Sequence, residues 1–417
     1  MRTGCAFKPL MSELFHTTKL TPQYVAKKSG FLDWNTQPSR FKRYPHFCFR
    51  YDRKALGAHA WLLDLRRITD VQNIGGGRVY ERLNVPSAGN LHPLELYVQI
   101  RKVSGMISGI YHIDVEQDAL VLIREIERDG LELHVGLTSR FMGMILLLSL
   151  VPFRSFWKYG ARSWRYCYLD AGHQMGAIVM RPQQPTFFSD YDAKALNDVM
   201  GFGDTEYVCS VMAWGEAGER QAEPLTPLMH VMPTDYSENF DEIKRALLTQ
   251  LNIKDALNAM PMWPTIGSME LLQSRRRSAR EFAPIALEKD DVERFMNLFK
   301  QMGSLHVSTV VLRAHGYESG IYGPSGYVRR FDPDELVALL LSQRFIGTSG
   351  MVVCFHTAMP DANAHAMAGM IAQACYLLAE SMNLGCSGIG AYYDDMLRSF
   401  LQTDEEIVYV LALGAKV

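Results

Sequence analysis

The sequence predicts an α+β protein built as two tandem domains, and three observations carry that expectation: length, a core-rich composition and an internal duplication. At 417 residues the chain exceeds what one hydrophobic core usually serves, so two domains of roughly 200 residues are expected. Apolar residues make up 48% and aromatics 11%, enough for packed cores, so disorder is not the starting expectation.

The duplication appears when the chain is compared with itself. SGIY at Ser108–Tyr111 follows the strand-like LELYVQIRKV, and SGIY at Ser319–Tyr322 follows VSTVVLRAHG. LDAGHQMGAIVM around His173 and Gln174 parallels GMIAQACYLLAE around Ala372 and Gln373, both reading as apolar helices rich in small residues. DTEYVCSVMAWG, ending at Gly215, parallels TDEEIVYVLALG, ending at Gly414, at the same offset as the helix pair. The bland alternative stays open, because small-residue helices and valine-rich strands look alike in any α/β protein. Glu219 to Met262 carries several prolines and the polar, periodic SENFDEIKRALLTQL, which suggests a bridging helix. The expected division is a first domain over 1–218, a linker over 219–262 and a second domain over 263–417.

Charge and cysteines narrow the class. Forty-three Lys and Arg nearly cancel 45 Asp and Glu, so no global field points to nucleic acid or an anionic membrane, and an anionic ligand must be held locally. The seven cysteines (5, 48, 167, 209, 354, 375 and 386) form no C-x-x-C pair, which fits a reducing cytoplasm. The N-terminus has no continuous apolar run of the secretory type. The most apolar stretch, Phe141 to Phe153, contains Pro152 and is too short to span a bilayer; its length reads as a core helix.

The halves are unequal. The first carries NVPSAGNLHPLELYV, Asn84 to Val98, where the second has only QMGSLHVSTVV. The second opens with SRRRSAREF, Ser274 to Phe282, where the first offers HFCFRYD. Guanidinium groups joined by a serine hydroxyl can converge on a phosphate, although a solvated basic run beside the helical DDVERFMNLFKQM fits as well. Pro86, Ser87, Ala88, Gly89 and Asn90 form a small-residue loop that lets backbone amides approach a planar ring; alone it is a turn signal. Gly385 to Ala391 (GCSGIGA) would cover a flat ligand with backbone N–H groups, or simply stop a helix. His173 reads as a satisfied core histidine and His92 as a loop-fixing hydrogen bonder. No histidine or acidic cluster has metal-ligand spacing and no phosphate-binding glycine motif follows a strand, so neither a metal nor a Rossmann domain is expected.

Taken together, RRSAREF, PSAGN-L-H-P-L-E, AQACYLLAESMNLGCSGIGAYYDD and the closing VYVLALG resemble the nitroreductase superfamily. FHTTKL, LDWNTQPSRFKRYP and KYGARSWRYCYLDAGHQ resemble, within it, the SagB-type dehydrogenases, flavin enzymes that oxidise azolines to azoles in peptides. The resemblance implies a tandem nitroreductase-like fold, a mainly antiparallel sheet between helices in each domain. It also implies a fused pseudo-dimer holding one FMN per chain between its halves, with one intact and one vestigial site. Arg276, Ser278 and Arg280 match the phosphate and ribityl contacts, and Gly388, Ile389, Gly390 and Ala391 the backbone beside flavin N5. Pro86, Ser87, Ala88 and Asn90 match the loop supplied by a partner subunit. Ser342 and Gln343 match a helix end that touches the ring, and Lys416 a phosphate contact.

The same resemblance assigns catalysis to Lys158 and Tyr159. Aromatising an azoline removes a proton from one ring carbon and a hydride from its neighbour, so a base is needed. Lys158 serves if burial or cations such as Arg162 and Arg165 lower its pKa; the alternative is that Lys158 caps a helix and Tyr159 packs in the core. The expected activity is FMN-dependent azoline dehydrogenation, with dioxygen or NAD(P)H completing the redox cycle and cyclodehydratases as possible partners. Two rivals stand beside it: an NAD(P)H-dependent nitro- or quinone reductase, and a flavin-free scaffold in a biosynthetic complex.

Overall fold

The computed structural model describes residues 12–28, 32–75, 79–249, 251, 268–300 and 302–417. The chain divides into two compact units, Asp33–Lys254 and a second composed of Met1–Leu32 with Asp255–Val417.

The Asp33–Lys254 unit contains, in chain order, β1 (Arg50–Asp52), the β2/β3 hairpin (Ile68–Asn73, Val79–Leu83), β4 (Leu94–Arg101), β5 (Gly109–Asp114) and β6 (Ala119–Glu125). There follow β7 (Asp129–Gly130), β8 (Ser139–Leu150), α1 (Phe153–Tyr159), α2 (Ser163–Val179) and β9 (Thr186–Phe188). The unit closes with α3 (Ala193–Val199), β10 (Tyr207–Gln221), β11 (Glu223–Pro224) and α4 (Asp241–Leu247). Seven strands form one antiparallel sheet in the order β1-β6-β5-β4-β8-β10-β9. Its hydrophobic core joins Tyr97, Ile110, Ile145 and Leu147 on the sheet to Leu196 and Val199 on α3.

The stretch expected as a core helix, Phe141 to Phe153, is instead mostly strand β8. β8 pairs with β4 on one side and β10 on the other and is buried from Met144 onward. A central strand buried on both faces reads as a continuous apolar run, without the alternation that marks a half-exposed strand.

The second unit contains α5 (Met269–Arg275), α6 (Lys289–Leu298), β12 (His306–Val311), β13 (Gly320–Gly323), β14 (Gly326–Arg329) and α7 (Pro333–Leu339). It continues through β15 (Met351–Thr357), α8 (Ala362–Ser381), β16 (Leu384–Ile389), α9 (Asp394–Leu401) and β17 (Glu406–Ala415). Its antiparallel sheet runs β14-β13-β12-β15-β17-β16. Strand for strand this is the order β6-β5-β4-β8-β10-β9, with α8 standing where α2 does and α9 where α3 does. The paired helices α2 and α8 are the ones the self-comparison singled out, and every residue of α2 is buried.

The units divide the chain differently from the expected 1–218, 219–262 and 263–417. Residues 219–254 stay with the first unit, where Leu225 and Leu228 belong to its core and Ile243 and Leu247 on α4 are buried. The helix expected in SENFDEIKRALLTQL is α4, and it belongs to that unit. Residues 252–267 and Cys5 lie outside the described residues.

Candidate functional site

In the Asp33–Lys254 unit the PSAGN loop is a tight turn. Gly89 and Asn90 both have left-handed backbones (φ +63° and +61°), as does His92 (φ +51°). Glycine and asparagine tolerate that region best. His92 locks the turn: its Nε2 lies 3.0 Å from Asn90 Oδ1 and 3.2 Å from the Glu81 carbonyl, and its ring stacks on Phe41. The expected loop-fixing role is therefore the one it has.

Lys158 and Tyr159, at the C-terminal end of α1, face this loop. A Cβ on Gly89 would stand 2.5 Å from the Tyr159 hydroxyl and 3.2 Å from Lys158 Nζ. A side chain there would have to displace both groups, and the left-handed backbone at Gly89 would strain it as well. Lys158 Nζ also lies 4.8 Å from the Trp34 ring centroid, and Tyr159 packs edge-on against Tyr166. Both side chains are half-buried, so neither is a core residue.

Two buried residues that sequence reasoning missed hold this arrangement. Arg154, one turn before Lys158, donates to the carbonyls of Ser39 (3.1 Å), His92 (2.9 Å) and Pro233 (2.7 Å) and to Glu95 on β4 (2.6 Å). Arg154 and His112 hold the Glu95 carboxyl far below its ordinary value even though burial pushes the other way. Asp170 on α2 accepts from the Ala88 N–H (3.2 Å) and hydrogen-bonds Ser87. Burial pushes its carboxyl up to about 7, against those bonds and Arg66. A linear signal existed, since Asp170 falls within the same KYGARSWRYCYLD segment as Lys158, but nothing in spacing says which residue of a buried helix faces a loop.

Beside the loop lies a cavity of about 530 Å³, lined by Trp34, Gln37, Arg40, Phe41, Gly89 and Asn90 among others. That falls in the usual range for small-molecule sites. Half of its lining residues come from the LDWNTQPSRFKRYP stretch, whose role sequence alone left unread.

The second unit assembles the other group of expected residues. Ser278 and Ala279 run beside β16: Ser278 bridges to Cys386, and the Ala279 N–H donates to the Cys386 carbonyl (2.9 Å). Tyr376 on α8 links the parts. Its hydroxyl lies 2.9 Å from Ser278 Oγ and accepts from the Gly388 N–H (2.6 Å), while Arg276, itself buried, sits over its ring at 5.2 Å. Burial pushes that phenol up to about 12, so it stays protonated. A Cβ on Gly388 would collide with the Tyr409 hydroxyl. Within the basic run, Arg277 donates to the carbonyls of Ser274 and Arg276 and braces the turn, whereas Arg280 is exposed.

Ser342 and Gln343 follow α7, as the helix-end expectation has it; Ser342 has φ +56° and Gln343 donates to the Leu340 carbonyl. Lys416 is not gathered with Gly388: it follows Ala415, which pairs with Leu384 at the opposite end of β16, and its ammonium is 2.9 Å from Glu380.

Comparison with known proteins agrees with this fold. Residues 274–415 match the family model described as the nitroreductase family. A candidate nitroreductase of Methanocaldococcus jannaschii is 33% identical over 117 residues, 27% of this chain. The match spans 59% of that curated relative's length. A crystal structure of a candidate nitroreductase from Anabaena variabilis superposes with a TM-score of 0.76 at 22% identity, covering 98% of this chain and 99% of its own. An FMN-dependent nitroreductase of Mycobacterium smegmatis, in complex with NADPH, covers 35% of this chain and 86% of its own at 16% identity and a TM-score of 0.26. The fold so defined is mixed α+β with antiparallel sheets. The family match is confined to residues 274–415, and the Anabaena likeness, at 22% identity, shows the same fold over 98% of the chain.

An FMN requires cationic donors for its phosphate and close backbone approach for its flat ring. The donor set of the second unit fits: Arg276 and Ser278 are tied through Tyr376 to the glycine-bearing end of β16, with Arg280 two residues further on. Among the described residues, no helix is long and apolar enough to cross a membrane.

Proposed function

We propose that this chain is an FMN-dependent dehydrogenase that oxidises azoline rings to azoles in a peptide substrate. The observation that carries the reading is the convergence of Lys158 and Tyr159 on Gly89, at the rim of a cavity sized for a heterocycle. Bound FMN supplies a hydride acceptor. Arg276, Ser278 and Arg280 would hold its phosphate, and the backbone of 388–391 would supply its N–H groups to the ring. Lys158 takes the ring proton, and the Tyr159 phenol orients the heterocycle. Dioxygen completes the cycle. The fused pseudo-dimer origin of the chain is supported by the matching strand order of the two sheets.

The test uses the full chain with a thiazoline peptide, read by mass spectrometry as loss of two hydrogens. Wild type is expected to convert the ring. Lys158→Ala is expected to retain its flavin yet lose turnover at least a hundredfold, within the range for a general base. Arg276→Ala with Arg280→Ala is expected to lose the flavin absorbance itself. A second reading, an NAD(P)H-dependent nitro- or quinone reductase, is favoured by the family match over 274–415. Rapid bleaching of the flavin by NAD(P)H, undiminished in Lys158→Ala, with no azoline conversion, would decide for it.

A further inference from the structure

Among the described residues, one cluster of metal-ligating side chains stands outside the site above. His306 on β12 lies directly opposite His356 on β15. The β15/β17 register slips between Phe355 and His356, and such a bulge re-aims the side chain that follows it. Here it brings the His356 ring to Glu405, just ahead of β17: His356 Nδ1 lies 2.7 Å, and His306 Nδ1 2.8 Å, from Glu405 Oε2. One ligand atom from each of the three residues falls within 4.8 Å of the others.

We infer that His306, His356 and Glu405 form a binding site for a divalent transition-metal ion of the Zn2+ class. Two imidazoles and a carboxylate are the borderline donor set that such ions select, and three protein ligands leave a fourth position for water. Metal–ligand bonds of about 2.0–2.2 Å put tetrahedral ligand atoms roughly 3.4 Å apart, so the carboxylate backs away slightly while the two ring nitrogens close. The His306 side chain, 50% exposed, has the freedom to move and opens a path for the ion. The buried His356 is held from behind, its Nε2 lying 3.0 Å from Ser308 Oγ. A hydroxyl accepting the Nε2 proton leaves the Nδ1 lone pair for the metal, the usual outer-shell arrangement of a ligating histidine.

The experiment is a Zn2+ titration of the chelator-stripped full chain against a chromogenic competitor, with thermal melting in parallel. Wild type is expected to take up one Zn2+ per chain at micromolar concentration or below and to melt higher with it. His306→Ala and Glu405→Gln, at partly exposed positions that tolerate change, are expected to weaken binding at least tenfold and abolish the melting shift. Ser308→Ala is expected to weaken it by roughly tenfold. Wild type that binds no Zn2+ at micromolar concentration, or His306→Ala that binds it equally well, overturns the inference.

Discussion

A buried carboxylic acid, Asp170, sits under the PSAGN loop. Asp170 keeps Ser87 and Ala88 in place, and among the described residues its Oδ2 has no partner. Burial raises its carboxyl from 3.8 to about 7. The folded protein therefore holds this proton up to about pH 7, while the unfolded chain releases it near pH 4. Over that window the folded state binds more protons, so this group's contribution to stability is complete below pH 4 and drains away as pH rises to 7. The full span is on the order of a few kcal/mol. Asp170→Asn keeps the acceptor oxygen and removes the titration. Urea melts at pH 4.5, 6 and 7.5 are expected to show the difference between variant and wild type growing in the variant's favour with pH, and a pH-independent difference would refute the assignment. At this scale the loop was read from its run of small residues, and the Lys158–Tyr159 pair only from the family resemblance. The sequence could not disclose Asp170, whose importance comes from what faces it across the fold.

The elements follow the same division. Helices α2 and α8 and strands β4, β10, β12 and β17 were legible because apolar runs of distinct length and composition repeat in both halves. β8 was not, since burial on both faces erases its periodicity, and the tie between α1 and its neighbours was invisible for a different reason. Arg154 joins α1 to β4, to the loop after His92, to the cavity wall at Ser39 and to Pro233. Four acceptors scattered along the sequence leave no linear trace. Removing the guanidinium strands Glu95, which is fully buried, without its strongest partner. Arg154→Ala is therefore expected to destabilise the protein by about 3–5 kcal/mol, the usual cost of breaking a buried ion pair from one side. Arg154→Lys retains the charge but not the planar fork, so it recovers only a minor part. Full stability in Arg154→Lys would mean that charge alone, and not the four-way bracing of α1, is what the site requires.

On the scale of the whole chain, the unit that carries the nitroreductase-family match is discontinuous, and residues 1–32 belong to it. Sequence reading placed those residues in the first domain because they come first; the pairing that ties them elsewhere lies hundreds of positions away. FHTTKL supplies the tie. Phe15 is fully buried and lies 6.1 Å from the His365 ring on α8. Lys19 reaches Asp395 (2.7 Å) and Glu406 (2.8 Å), and the Leu20 N–H donates to Asp394 (2.8 Å). The segment thus fastens the start of α9 to the start of β17. Solvent weakens the ion pair to the half-exposed Asp395, so most of the stabilisation rests on Phe15, whose truncation costs about 3 kcal/mol by analogy with buried aromatics. Phe15→Ala is expected to raise hydrogen exchange in α8, α9 and the first residues of β17, measured by mass spectrometry, and to leave β4 and β8 protected as in wild type. Equal loss of protection in β4 and β8 would mean that the segment supports the chain as a single cooperative body, and the division into two units would then not describe how this protein unfolds.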